Sequence, residues 1–116
     1  MTLKKVDNDP IRLLQMMKYG AQVARKGSKW VVVVCPDEVH GNCNDIMASM
    51  AMEGLPSSGR TLSFPEGGKL TLVGESSKFQ TEDPFYVLFV GWNNGKSKEV
   101  MHKWRERATG VVQRSL

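Results

Sequence analysis

The sequence lacks the features of a membrane-spanning, secreted or disulfide-stabilised protein. Its longest apolar runs, 30–35 and 85–90, have six residues each, whereas a membrane helix needs about 18. Residues 1–10 carry charges and no apolar segment, so we expect no secretory signal. Two cysteines, Cys35 and Cys43, are too few for a disulfide framework. We therefore expect reduced thiols, no contact with a membrane and a cytoplasmic location.

The sequence also lacks common catalytic motifs, since it has no serine-elbow, HExxH or GxGxxG pattern. Cys35, His40 and Cys43 lie close together in the chain and are possible zinc ligands, but their spacing is not that of the common zinc fingers. They are also a possible cysteine–histidine nucleophile pair, for which no third orienting group is identifiable. Because a buried cysteine is more often a small apolar core residue, we expect no metal and no cofactor.

Length and composition indicate one folded domain. The chain has 116 residues and a mass of 13.0 kDa, which is the size of a single domain with its own core. It is 41% hydrophobic and 24% charged, as is usual for globular domains, so disorder is excluded as its main state. We expect a single α/β domain over 1–116, with 109–116 frayed.

Hydrophobic patterning predicts the element order α-β-α-β-β-β-α. Asp9 and Pro10 begin a helix that ends near Lys26, where cations and Gly27 are typical of a helix C-terminus. The β-branched run 30–35 predicts a strand buried on both faces, and the run 85–90 predicts a second one. A second helix follows residues 37–43, and a third spans 96–108.

A β-hairpin is predicted between the second helix and the last strand. Residues 60–64 and 69–73 alternate between apolar and polar side chains around a turn at 65–68. Leu62 and Leu70 are expected to face inward, together with Phe64 and Leu72, and Thr71 outward. The whole pattern predicts three layers, with a mixed sheet of about four strands and helices on both faces.

The ends of the two apolar strands predict where ligands would bind. In α/β sheets, ligands bind beyond the carboxyl ends of the strands, here 35–38 and 91–94. The segment 91–97 has the spacing GxxxGKS, one residue shorter than the phosphate-binding GxxxxGK[ST] loop. Gly95, Lys96 and Ser97 are therefore possible phosphate contacts, although a turn that caps the last helix explains the same residues. An alternative function is a small nucleotide- or phosphate-handling enzyme that uses Asp37, Lys96 and Ser97.

The whole excess of positive charge lies at the C-terminal end. Residues 1–95 carry ten cations and ten carboxylates, and 96–116 carry six cations and two carboxylates, which gives the net charge of +4. Cations interleaved with aromatic residues are typical of nucleic-acid binding, although a solvated helix end explains the charges equally well. We expect a non-enzymatic module that contacts nucleic acid or a protein partner of its host or phage. The expected contact residues are Lys96, Lys98, Lys103, Arg105, Arg107, Trp92 and Asn93.

Residues 10–90 resemble the middle of a helicase or phage-terminase type ATPase core. The resemblance rests on a helix followed by the strand VVVVCP, a second helix, the hairpin phrase SFPEGGKLTLVG and an apolar strand. No Walker A loop precedes residue 10, and Gly91-Trp92 stands where such cores carry an acidic pair. The resemblance thus implies an ATPase-like scaffold without ATPase chemistry, of the kind expected in a phage or bacterial accessory protein.

Overall fold

Parallel strands form the centre of the molecule, as shown by a computed structural model that describes residues 10–52, 57–58, 60–92 and 98–112. The helices are α1 (Pro10–Gly27), α2 (His40–Ala51) and α3 (Lys98–Arg107), with a 3-10 turn at Asp37–Val39 before α2. The strands are β1 (Trp30–Cys35), β2 (Ser57–Ser58), β3 (Thr61–Ser63), β4 (Lys69–Gly74), β5 (Tyr86–Phe89) and β6 (Gly110–Val111).

The sheet is mixed and has the strand order β2-β3-β4-β1-β5-β6. β1 pairs in parallel with β4 and with β5, β6 is parallel to β5, and β3 is antiparallel to both of its neighbours, β2 and β4. The predicted α/β class is confirmed, but the described residues form a sheet of six strands rather than about four. β2 and β6 have two residues each, which is too short for a recognisable alternation. β6 also lies in a segment that we expected to fray, and Val112 beyond it is buried.

Each face of β1 is covered by a different layer. Val31 and Val33 pack in the core cluster that contains α1 and α2, whereas Val32 and Val34 pack in the cluster that contains Trp104 of α3. Helices therefore lie on both faces of the sheet, as predicted. Because all four valines are fully buried, the continuous apolar run follows from burial on both sides.

The helices pack against the sheet through apolar side chains at helical spacing, whereas Ile11 at the start of α1 is exposed. Leu13, Met17 and Ala24 of α1 are fully buried, and Met47 and Met50 of α2 are nearly so. Arg25 and Lys26 lie in the last turn of α1, where cations favour the negative end of the helix. The predicted cap at Asp9 lies outside the described residues. No described helix is long and apolar enough to cross a membrane.

The predicted hairpin is present, with one correction. Leu62 pairs with Leu70 across β3 and β4, and both side chains are buried. Thr71 points to the opposite face, as expected, but it is buried rather than solvent-exposed. Its Oγ1 accepts a 2.9 Å hydrogen bond from Nε1 of Trp30 and lies 2.8 Å from Oγ1 of Thr61. Because β4 is an interior strand, its second face is covered as well.

Candidate functional site

The carboxyl ends of the two apolar strands meet at one edge of the sheet. Val34 of β1 pairs with Phe89 of β5 in parallel register, so the segments 36–38 and 91–92 emerge side by side. After β1 the chain enters α2 on one face, and after β5 it leads to α3 on the other. Adjacent connections that leave toward opposite faces create the crevice in which α/β proteins bind ligands.

Polar groups collect on the β4 side of this edge. Both carboxylate oxygens of Asp37 accept from Oγ of Ser76, at 3.3 and 3.1 Å, and the Asp37 amide donates to Oε2 of Glu75 at 3.3 Å. Nε2 of His40 lies 3.0 Å from Nη1 of Arg60. Burial and then the positive charge of Arg60 lower the pKa of His40, against a smaller opposing effect of Asp37. His40 is therefore the acceptor in its contact with Arg60.

This polar group does not form a metal centre among the described residues, where no three His, Cys, Asp or Glu side chains are placed to hold an ion. Of the residues assigned to the alternative enzyme, Asp37 lies at the edge, where its carboxylate accepts a hydrogen bond from Ser76. Lys96 and Ser97 lie outside the described residues, together with Asn93 and Gly95. The phosphate-handling alternative therefore stays a prediction.

The two cysteines lie in the core beneath the same edge, and both are fully buried free thiols. Sγ of Cys35 donates to the carbonyl oxygen of Val73 at 3.7 Å. A hydrogen bond with Cys43, followed by burial, raises the pKa of Cys35 well above its usual range. A nucleophilic cysteine must reach its thiolate form. Because Cys35 is buried and its raised pKa keeps the thiol protonated, we interpret it as a core residue rather than a nucleophile.

Basic and aromatic side chains collect on the β5 side of the edge. The guanidinium carbon of Arg105 lies 5.6 Å from the ring centroid of Phe89. The Phe89 and Trp92 rings meet edge to face, with centroids 6.3 Å apart. Lys98 lies seven residues before Arg105, two turns away on the same side of α3. We call these four residues the Phe89 surface.

The structure divides the cations of α3 between two flanks of the helix. By helical spacing, Lys98 and Arg105 lie on one flank and Lys103 lies on the other. Between the flanks is a ridge on which Nε2 of His102 lies 3.7 Å from Oε2 of Glu106. All four Lys/Arg side chains in the helix are exposed, but this ridge separates them. The basic end is therefore two narrow surfaces rather than one broad patch.

Arg107, an expected contact residue, also holds α3 against the loop before β5. Its Nη2 donates to the carbonyl oxygen of Phe79, and its guanidinium carbon lies 4.5 Å from the Trp104 ring centroid. The Phe79 and Trp104 rings stack with centroids 6.1 Å apart. These contacts connect Arg107 to the aromatic cluster under the helix, so its substitution would change packing as well as charge.

Phe89 was missed as a site residue because its run of apolar neighbours predicts a core position. Val32, Val34, Val87 and Leu88 are nearly fully buried, as expected, but Phe89 is only half-buried. Phe89 is the last residue of β5, where the covering helix no longer shields the whole ring. One sequence signal distinguishes Phe89 from the other residues of the run. It lies near the end of the run, two residues before Gly91.

Comparison with known proteins gives no match. No protein-family model, curated protein or solved structure matches the chain. The resemblance to helicase and terminase ATPase cores stays a prediction based on the residues quoted above.

Proposed function

We propose that this protein is a non-enzymatic module that binds single-stranded nucleic acid through the Phe89 surface. The observation that carries the proposal is the position of the Arg105 guanidinium over the half-buried Phe89 ring, with Trp92 beside it. Proteins that bind single strands combine aromatic rings, on which bases stack, with cations that track the phosphates. The Phe89 surface offers both kinds of side chain within one small area.

The charges of this surface are available to an anionic ligand. No carboxylate of a described residue forms an ion pair with Lys98 or Arg105. An Arg that lies on an aromatic ring keeps its positive charge and its hydrogen-bond donors, so the side chain remains able to contact phosphate. The segment 93–97, which carries Asn93, Gly95, Lys96 and Ser97, joins Trp92 to the start of α3. These residues lie outside the described part of the chain, and in the sequence they include one further cation, Lys96.

A single strand fits the Phe89 surface better than a duplex or a protein partner. The two cationic flanks of α3 are separated by the ridge that carries Glu106, so a broad duplex would meet negative as well as positive charge. A protein partner would be recognised by an apolar core area, which the Phe89 surface does not have in quantity. The setting in a phage or bacterial cytoplasm is part of the proposal, because the sequence resemblance to helicase and terminase ATPase cores implies it.

The proposal is tested by fluorescence anisotropy with a labelled oligothymidine and a duplex of equal length, over a series of salt concentrations. We expect two to four phosphate contacts, hence a log–log salt slope between about −1.4 and −2.8 on the single strand. The dissociation constant should be about 10⁻⁴–10⁻⁶ M at physiological salt. The Lys98→Gln, Arg105→Gln double variant should reduce the magnitude of the slope by about 1.4.

Two further variants test whether binding depends on the Phe89 surface or only on the net positive charge of the protein. Phe89→Leu keeps the site apolar but removes the ring, so it should weaken single-strand binding at least about fivefold, because stacking contributes about 1–3 kcal/mol per base. The matched control Lys18→Gln, Lys26→Gln removes the same charge from the opposite side of the sheet and should leave the slope unchanged. No binding to either strand form at low salt, or equal slopes for both double variants, would overturn the proposal.

A further inference from the structure

A second concave surface lies on the opposite side of the sheet, between α1, α2 and the β3–β4 turn. It is a cavity of about 480 Å³, which is within the range of small-molecule sites in proteins. Its floor is made by the buried side chains of Ala21, Met50 and Phe64. We call it the α1 groove. None of its lining residues belongs to the Phe89 surface.

The rim of the α1 groove is polar and mostly positive. Lys18, Arg25 and Lys26 line it, with Glu66 as the one carboxylate among the described lining residues. Nη2 of Arg25 lies 3.4 Å from Oε2 of Glu66, and the Arg25 guanidinium carbon lies 5.5 Å from the Phe64 ring centroid. Neither Lys18 nor Lys26 forms an ion pair with a described residue.

These features specify the chemistry of an occupant. The apolar floor favours a hydrocarbon body, and the three cations against one carboxylate among the described lining residues favour a negative head group. The cations leave α1 at positions 18, 25 and 26, so they stand on one side of the opening while Glu66 stands across from Arg25. An anion that enters the groove therefore competes with Glu66 for Arg25 and gains contacts with Lys18 and Lys26, which form no ion pair with a described residue.

We propose that the α1 groove is a binding site for a small amphipathic organic anion, one acidic head group on an apolar body of about the size that the cavity encloses. The site is independent of the proposed nucleic-acid surface, because the sheet separates the two. An acidic peptide is the rival occupant. The volume of about 480 Å³ favours the small molecule, because a peptide would extend beyond the groove along α1.

The first test uses 1-anilinonaphthalene-8-sulfonate, an aromatic anion that fluoresces when it leaves water. We expect enhanced fluorescence with the folded protein and a dissociation constant of tens of micromolar, about what a drug-sized ligand reaches at its usual binding energy per atom. Octanoate should displace the probe, whereas octylamine, with the same body and the opposite charge, and acetate, with no body, should not. Displacement by octylamine as well as by octanoate would overturn the selection for an anion.

Substitutions at the rim of the α1 groove should change the affinity for the probe in opposite directions. Lys18→Gln with Lys26→Gln should weaken probe binding about fivefold to tenfold, because each exposed pair contributes modestly. Glu66→Gln should tighten it severalfold, since the substitution removes the competing carboxylate. The matched control Lys78→Gln, Lys103→Gln, at exposed positions outside the groove, should change nothing.

A filling variant tests the location. Gln22→Phe places a ring in the groove from an exposed lining position, so it should abolish the fluorescence enhancement without lowering the melting temperature. Binding of oligothymidine by this variant should be unchanged, which separates the fate of this site from that of the proposed nucleic-acid surface. Enhancement that survives Gln22→Phe, or that an acidic peptide alone displaces, would overturn the proposal. Loss of cooperative melting in the presence of the probe would identify the signal as unfolded protein and would overturn it too.

Discussion

The indole Nε1 of Trp92 donates a 2.8 Å hydrogen bond to the carbonyl oxygen of Val34. The same oxygen accepts from the amide of Val90 at 3.0 Å, so it uses both lone pairs within the sheet edge. This bond joins the segment after β5 to the end of β1 and fixes the Trp92 ring beside Phe89. The aromatic part of the candidate site is thus held by the backbone of the core strand and not only by side-chain packing.

Trp92→Phe should lower the free energy of unfolding by about 1 kcal/mol, the usual net contribution of one hydrogen bond. The loss stays small because the Val34 oxygen keeps its bond from Val90. A phenylalanine ring still stacks on bases, so oligothymidine affinity should change less than threefold, whereas Trp92→Ala should reduce it further. Chemical denaturation measures the first effect and anisotropy the second. An unchanged midpoint for Trp92→Phe would contradict the structural role of the bond.

Gly68 is the position where a methyl group would be least tolerated. A Cβ on Gly68 would lie 2.0 Å from the carbonyl oxygen of Ala24 and 2.9 Å from that of Lys29. Both atoms belong to the backbone, and Lys29 also accepts the 3.0 Å bond from the Lys69 amide that starts β4. Gly68→Ala should therefore destabilise by more than about 3 kcal/mol, the upper part of the usual range for single substitutions, as measured by thermal and urea denaturation.

Gly41 provides the matched control. It lies in α2, and a Cβ there would meet no atom within 4 Å. Alanine is the better helix former, so Gly41→Ala should stabilise the protein by up to about 1 kcal/mol. The same substitution thus has opposite signs at two positions. If Gly68→Ala melted at or above the temperature of the wild type, the close approach of the hairpin turn to α1 would be wrong.

Burial on both faces could be predicted from the sequence for the central strands, because four consecutive valines leave no polar face. The orientation of Trp104 was predictable for a similar reason, since its helical spacing from Val100 places both on one side of α3. The exposure of Phe89 was not predictable, because it depends on where α3 crosses the end of β5. The burial of Thr71 depends likewise on a partner 41 residues away, Trp30.

The α1 groove was not predictable for a different reason. Its floor combines Ala21, Met50 and Phe64, three residues that each fit an ordinary core position in their own element. Only the packing of α1 against α2 and the hairpin brings them under the same opening. By contrast, the meeting of segments 36–38 and 91–92 at one edge followed from a single assumption, that β1 and β5 are parallel neighbours, and the pairing confirms it.

His40 predicts a pH dependence of stability. Burial and Arg60 lower its pKa in the folded protein, so the unfolded chain binds a proton at a higher pH than the folded chain does. Stability from this group is fully present above the ordinary histidine pKa of about 6.5 and decreases as pH falls through the folded pKa. The midpoint of urea denaturation should therefore fall between pH 7.5 and 5. The charged groups that face the imidazole are Arg60 and Asp37.

His40→Asn removes this titration, so the fall in midpoint over the same interval should be smaller in the variant than in the wild type. His102→Asn is the control, because His102 is exposed on α3 beside Glu106 and should leave the wild-type profile nearly unchanged. The carboxylates are the same in all three proteins, so their contribution to the pH dependence cancels when the profiles are compared. Parallel profiles for His40→Asn and the wild type would contradict the assignment.

Val34→Asp tests the central strand directly. Val34 is fully buried between β4 and β5, with its side chain in the cluster around Trp104. A carboxylate without a partner costs several kcal/mol there, against a total stability of about 5–15 kcal/mol for a domain. We expect no cooperative thermal transition and loss of the near-ultraviolet circular dichroism of the aromatic cluster.

Val34→Ala is the control and should remain folded, with a loss of about 1.5–3 kcal/mol in the free energy of unfolding, because it removes apolar contact without adding a charge. A Val34→Asp protein that melts cooperatively near the wild-type temperature would mean that this strand is not enclosed on both faces.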